Sequence, residues 1–337
     1  MKIKNINTKK KVLIIAEIGN NHEGSLKNAK KLILLAKKSG ADAVKFQTYK
    51  TENLVSKKNK KRFNKLKKFE LKKKDFIKLK NLAKKQKLLF ISTPFDLDSA
   101  RFLIKICDAI KIASSDNNYF ELINEVCLSN KPIIISTGLL NSNQVFKLYN
   151  KLIKIHGKKI INNLALLHCI TSYPANDVDL NLRSIKELKK KIKCTVGYSD
   201  HSIGPLAAIL STISGAEIIE KHFTISKDFS NFRDHKLSSD PSEMSFITNS
   251  IKRISHMLGK KRKIINRSEK RNLKFVRRSI FSNIDIFKNT KINKKNIKIV
   301  RPGYGIPPNE LSKVLGKLAR NKIKKDTLIK LSQIKNK

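Results

Sequence analysis

The feature that most limits this chain is an alternation. Short apolar, β-branched runs recur with amphipathic stretches between them. The runs are VLIIAE (12–17), DAVKFQ (42–47), LLFIST (88–93), AIKIAS (109–114), PIIIST (132–137), LALLHC (164–169), CTVGYS (194–199) and AEIIEKH (216–222). Between the first two, SLKNAKKLILLAKKSG places Leu26, Ala29, Leu32, Ile33 and Ala36 on one helical face and ends on Gly40. Strand–helix alternation of this kind reads as parallel βαβ units. An open doubly wound sheet is one solution. Eight repeats over roughly 260 residues fit the closed (β/α)8 barrel better. No G-x-G-x-x-G follows the first run, which argues against a dinucleotide-binding sheet.

The pattern changes after about residue 265. NRSEKRNLKFVRRSIF is a charged connection, and short extended runs with turn signals follow it. RPGYGIPP (301–308) has the composition of a loop. The expected organisation is a barrel over 1–262, a linker over 263–275 and a small, mostly β module over 276–337.

Hydrophobic residues make up 40% of 337, enough for a large core. No apolar run approaches the roughly 20 residues that span a bilayer. VLIIA is too short for a signal sequence and runs into Glu17, so a cytoplasmic protein without a membrane partner is expected. Cys107, Cys127, Cys169 and Cys194 are far apart and form no C-x-x-C, which suits reduced core thiols rather than a thiolate metal site. The formal net charge of +48 invites a polyanion-binding reading. Yet lysine is over-used along the whole chain, as a compositional bias gives. The densest run, Lys57 to Lys87, carries Phe63, Leu66 and Phe69 at helical spacing and no nucleic-acid motif. No specific nucleic-acid partner is expected.

In a (β/α)8 barrel, chemistry gathers where the strands end. These ends are polar throughout: Glu17, Lys45 with Gln47, Ser92-Thr93, Lys111 with Ser114, Ser115 and Asp116, Ser136, His168, His201 and His222. The last two sit on neighbouring staves of a closed barrel, about 5 Å apart. Two imidazoles can share a divalent ion and leave most of its coordination open. With no third ligand in sight, Mn²⁺ or Mg²⁺ fits better than zinc. Each histidine alone reads equally as a hydrogen-bonded structural residue. Lys45 and Lys111 lie inside apolar strands, where an unpaired ammonium is costly, so an anion pocket completed by hydroxyls is expected. A Schiff-base lysine is the other reading of the same pair.

AEIGNNHEGSLKNAKKLI, GADAVKFQTY, FISTPFD, IKIASSD, KPIIISTG, LLHCITSYPA, VGYSDHSIG, EKHFT and RPGYGIPP together resemble the sialic acid synthase family, in order and over nearly the whole chain. The resemblance implies a (β/α)8 TIM barrel followed by a small antifreeze-like (SAF) β-clip domain. It implies condensation of phosphoenolpyruvate with an N-acetylated amino sugar, giving a nine-carbon 2-keto acid and phosphate, with a divalent metal held by His201 and His222. Carried over by motif, phosphoenolpyruvate would lie against Lys45, Thr93, Lys111, Ser114, Ser136 and Ser199. Glu17, Gln47, Tyr173 and Asp234 would contact the sugar. Asp116 and Glu17 would be the catalytic carboxylates, with Asp116 deprotonating the attacking water. Arg301 would serve the other subunit of a domain-swapped homodimer. Three departures stand out. Asp116 is often Glu in the family. SNFRDH before and around Asp234 replaces a Pro-Gly-rich loop. The connection over 50–72 is short and very basic. Sialic, legionaminic and pseudaminic acid synthases share the core motifs, so the motifs do not choose among them.

Overall fold

The computed structural model describes residues 1–259 and 262–336. The chain divides into two compact units, Met1–Gly259 and Lys260–Lys337.

In the first unit a short antiparallel hairpin, β1 (Lys2–Ile3) and β2 (Ile6–Asn7), precedes the barrel. The barrel strands are β3 (Leu13–Gly19), β4 (Ala43–Thr48), β5 (Leu89–Pro94), β6 (Ala109–Ile112), β7 (Ile133–Ser136), β8 (Leu164–Cys169), β9 (Thr195–Asp200) and β10 (Ile218–His222). All pair in parallel, and β10 closes onto β3. The helices are α1 (Leu26–Lys38), α2 (Thr51–Leu54), α3 (Lys60–Phe69), α4 (Lys73–Lys85), α5 (Leu97–Ile106), α6 (Phe120–Leu128), α7 (Ser142–His156), α8 (Arg183–Lys191), α9 (Leu206–Ile213), α10 (Asp234–Leu237) and α11 (Pro241–Leu258). The expected barrel is therefore the observed one.

Local chemistry sets the boundaries. The Ser25 hydroxyl accepts the Asn28 N–H at 3.2 Å to start α1, and Gly40, at φ +82°, turns the chain after it. Ala29, Leu32, Ile33 and Ala36 are the buried stripe of α1. Asp240 caps α11 ahead of Pro241, which fills a first-turn position that needs no N–H.

Period-2 alternation along the strands then builds two cores. Outward residues such as Val44, Phe90, Ile112 and Tyr198 pack with the helices. Inward residues Leu13, Ile15, Ala43, Leu89, Ile91, Ala109, Ile134, Ala165, Leu167 and Ile218 fill the lower barrel with Met1 and Ile3. Gly197 lies at this level, where an added Cβ would sit 2.5 Å from the Ile218 carbonyl oxygen.

In the second unit, α12 (Arg267–Val276) occupies the charged connection. β11 (Ser279–Ser282) pairs antiparallel with β12 (Ile297–Val300), and β13 (Leu318–Ala319) with β14 (Ile334–Lys335). Ile280, Ile292, Val314, Ile323 and Ile329 form its own core. No helix among the described residues is long and apolar enough to cross a membrane.

Candidate active site

Above the apolar layers the inward positions turn polar, and the residues there line one pocket. It is walled by Glu17, Lys45, Gln47, Thr93, Lys111, Ser114, Ser136, Tyr173, Ser199, His201 and His222, together with Phe95, Cys169 and Glu220. The first eleven are residues singled out from sequence.

Four charges form its floor. Lys45 Nζ lies 2.9 Å from Glu17 and 3.6 Å from Glu220, and Lys111 Nζ lies 3.8 Å from Glu220. All four groups are buried. Burial pushes the Glu17 carboxyl up, against the pull of Lys45. Burial would raise Glu220 too, but the Lys111 and Lys45 ammoniums hold it down, at about 2. Burial lowers Lys111. It would lower Lys45 as well, but Glu17 and Glu220 reverse the direction. Hydroxyls finish the cradle. Lys45 donates to Thr93 Oγ1 at 3.2 Å, Lys111 to Ser136 Oγ at 2.6 Å, and Ser199 Oγ to Glu220 at 3.0 Å. Gln47 donates to Glu17 Oε1 at 3.2 Å and so orients it. Two residues past Ser136, Gly138 leaves room for Ser114: an added Cβ would come within 2.7 Å of Ser114 Oγ, which accepts the Gly138 N–H.

On the β9–β10 side the two imidazoles face each other, ring centroids 5.5 Å apart. His201 Nδ1–H donates to the Ile170 carbonyl at 2.7 Å, which leaves Nε2 as the lone-pair nitrogen. His222 is buried, Nδ1 has no hydrogen-bond partner among the described residues, and burial pulls its pKa down to about 4. His222 is therefore held as a neutral ring, and His201 keeps Nε2 clear of its Nδ1–H bond, the arrangement a pair of imidazole ligands needs. No cluster of three or more metal-ligating side chains occurs among the described residues. The donor set fits an open, two-imidazole metal site. Tyr173 packs on His201 at 4.1 Å between centroids, and the Arg233 guanidinium lies 5.3 Å from the Tyr173 ring.

Three further residues lie elsewhere. Asp116 sits in a 3₁₀ turn, Ser114–Asp116, because β6 ends at Ile112 rather than continuing through Ser114. The Asp116 N–H bonds back to the Ala113 carbonyl, which closes that turn. Burial raises its carboxyl, and Ser115 donates to it at 3.0 Å. Asp234 opens α10, and its charge acts on both His222 and Tyr173. Arg301 lies in the second unit, directly after β12.

One strand end differs from the sequence reading. His168 points outward and hydrogen-bonds the Leu180 carbonyl at 2.8 Å, while Cys169 faces the pocket. Two ionisable pocket residues escaped that reading, Cys169 and Glu220. Cys169 Sγ lies 3.7 Å from His201 Nδ1; burial would raise the thiol, but His201 and Lys111 bring it below its ordinary value. Glu220 was available from parity, two residues before His222.

A closed barrel with a charged, hydroxyl-lined pocket at its strand ends, joined to a small β domain, defines the class. Residues 32–263 match the NeuB family and residues 277–335 match the SAF domain. The chain is 38% identical to the N,N'-diacetyllegionaminic acid synthase of Campylobacter jejuni, over 95% of this chain and 99% of that one. It is 34% identical to the pseudaminic acid synthase of the same species, over 96% and 97%. The crystal structure of the N-acetylneuraminic acid synthetase of Leptospira borgpetersenii superposes with a TM-score of 0.74 at 35% identity, covering 81% of this chain and 94% of that one. The chain belongs to the NeuB family of sialic-acid-type synthases.

Proposed function

We propose that the pocket condenses phosphoenolpyruvate with the open-chain aldehyde of an N-acetylated amino sugar, giving a nine-carbon 2-keto acid and phosphate. The observation that carries this reading is the pair of buried ammoniums, Lys45 and Lys111, set beside the two imidazoles of His201 and His222 in one cavity. Lys45 and Lys111, with Thr93, Ser114, Ser136 and Ser199, hold the carboxylate and phosphate of the enol. Its C3 attacks the aldehyde carbon, and positive charge develops at C2. Water adds to C2 and gives one proton to Asp116. The C2–O bond to phosphate then breaks as the added oxygen becomes the ketone. Its second proton leaves with phosphate, and the alkoxide left on the former aldehyde oxygen takes up the first. The raised carboxyl of Asp116 suits a base working nearer neutrality than a free aspartate. Glu17, Gln47, Tyr173 and Asp234 orient the sugar. A divalent ion, Mn²⁺ or Mg²⁺, held by His201 and His222 would polarise the aldehyde oxygen. In this reading the protein works as a swapped homodimer, with Arg301 of each small domain serving the barrel of the other copy.

The full-length likeness to a legionaminic and a pseudaminic acid synthase favours a 2,4-diacetamido-trideoxyhexose as the sugar. N-acetylmannosamine is the alternative, favoured by the likeness to the N-acetylneuraminic acid synthetase. Phosphate release from phosphoenolpyruvate, measured with each sugar, with EDTA and with Mn²⁺ restored, tests both points. Turnover is expected only with sugar and metal present. Full activity after exhaustive chelation would rule out the two-imidazole ion, and borohydride trapping of a substrate on Lys45 or Lys111 would replace the scheme with a Schiff-base one.

A further inference from the structure

We infer that Lys221 and Asp200, which face away from the pocket, form a positioning clamp that sets His201 and His222 at metal-binding distance; this rests on the reading of that pair as ligands. Strand parity puts Ser199, Glu220 and His222 inside the barrel, and Asp200 and Lys221 outside it. Asp200 and Lys221 are direct partners across the β9–β10 seam, as Ser199 and Glu220 are. Their side chains meet at 2.9 Å with no solvent exposure on either. Lys221 Nζ also donates to the Ser202 carbonyl at 2.5 Å. Asp200 Oδ1 accepts the Ser202 N–H at 2.9 Å, the Ser202 hydroxyl at 2.7 Å and the Tyr198 hydroxyl at 3.3 Å.

The two residues flanking His201 are thus both bound to the residue preceding His222. β9 ends at Asp200, so His201 has no strand partner of its own to fix it. Its backbone carbonyl accepts from Ala175, and its ring is held by Ile170. Those contacts set where the ring points. The Lys221 contacts set how far it lies from His222. An outer group that orients ligands in this way is worth about 10–100-fold in metal affinity. Lys45 and Lys111 hang from β4 and β6, so the two ammonium anchors of the enol stand on strands outside the clamp, and Ser199 is the one hydroxyl of that cradle on β9.

The test is Mn²⁺ binding to the metal-free full-length protein, followed by electron paramagnetic resonance of the free ion. Phosphoenolpyruvate binding without metal is measured in parallel by equilibrium dialysis. Lys221→Met is expected to weaken Mn²⁺ by about 10–100-fold and phosphoenolpyruvate by less than about threefold. If the lone buried carboxylate prevents that variant from folding, Asp200→Asn with Lys221→Met removes both charges and should show the same split. Unchanged Mn²⁺ affinity in a folded variant overturns the clamp, and so does an equal loss of both ligands. If wild type holds Mn²⁺ no better than His222→Ala, the two-imidazole reading itself falls and the clamp falls with it.

Discussion

Replacing Glu220 with Gln should destabilise the free protein and at the same time increase its response to an anion. The side chain keeps its shape and can still accept from Ser199, so the change is one of charge. Glu220 lies 3.6 Å from Lys45 and 3.8 Å from Lys111, and each attraction amounts to about 4 kcal/mol at an effective dielectric near 20. Desolvation of the carboxylate offsets part of that sum. Removing one partner from a buried ionic cluster costs about 3–5 kcal/mol. For a barrel of 259 residues, that corresponds to a fall in Tm of roughly 10 °C. The same two ammoniums are the proposed anchors for phosphoenolpyruvate, and in the variant they no longer share their charge with Glu220. Circular-dichroism melts of both proteins, with and without saturating phosphoenolpyruvate, read both effects. The ligand-induced rise in Tm is expected to be larger for Glu220→Gln than for wild type. A variant as stable as wild type, or one that phosphoenolpyruvate stabilises less, would refute the balanced four-charge floor.

Asp116→Asn should lower kcat by about 10²–10⁴-fold, the range of a general base, with little change in KM for phosphoenolpyruvate. A base must be deprotonated, and burial raises this carboxyl, so wild-type kcat should fall with acid on a limb above that of a free aspartate; a pH–rate profile unchanged in Asp116→Asn would remove it from the mechanism. His22 is buried and held down to about 4 against an ordinary 6.5, chiefly by desolvation. Between those values the unfolded chain binds the proton and the fold does not, so stability is present above 6.5 and lost as pH falls towards 4, by about 3 kcal/mol in total. Denaturant midpoints across that window should lose this slope in His22→Gln.

The barrel was legible because strand and helix periods alternate without interruption, and a polar residue at the top of an apolar strand has only the pocket to face. That logic depends on parity more than polarity, as β8 shows. Counting by twos from Ala165 and Leu167 reaches Cys169, so the more conspicuous His168 is turned outward to Leu180. The same count from Ile218 reaches Glu220 before His222, which makes Glu220 recoverable from sequence once the strand is assigned. Asp200 and Lys221 were not recoverable. Their contact depends on the register between β9 and β10, which no single strand spells out. Tyr173 and Asp234 lie beyond the strands, so only the family motifs pointed to them. The break after Ile112 was hidden as well, because Ala113 and Ser114 suit a strand until the turn to Asp116 claims the Ala113 carbonyl.

The charge of +48 is a separate matter from the site. Among the described residues, the buried lysines are Lys45, Lys111 and Lys221, and no arginine is buried. Lys45 is matched by Glu17, Lys111 by Glu220 and Lys221 by Asp200. The other described lysines and arginines remain at least partly in water, where salt screens them within about 10 Å at 0.1 M and each costs the fold little. Acidic residues are scarce, yet the fold places three of them where an unpaired ammonium would be most costly. A bias that adds lysine to outer helices can therefore accumulate without reaching the pocket, since every cation taken inside needs a carboxylate taken in with it. The interior is close to neutral for that reason, and the binding of the proposed anionic substrate is decided there rather than by the exterior field.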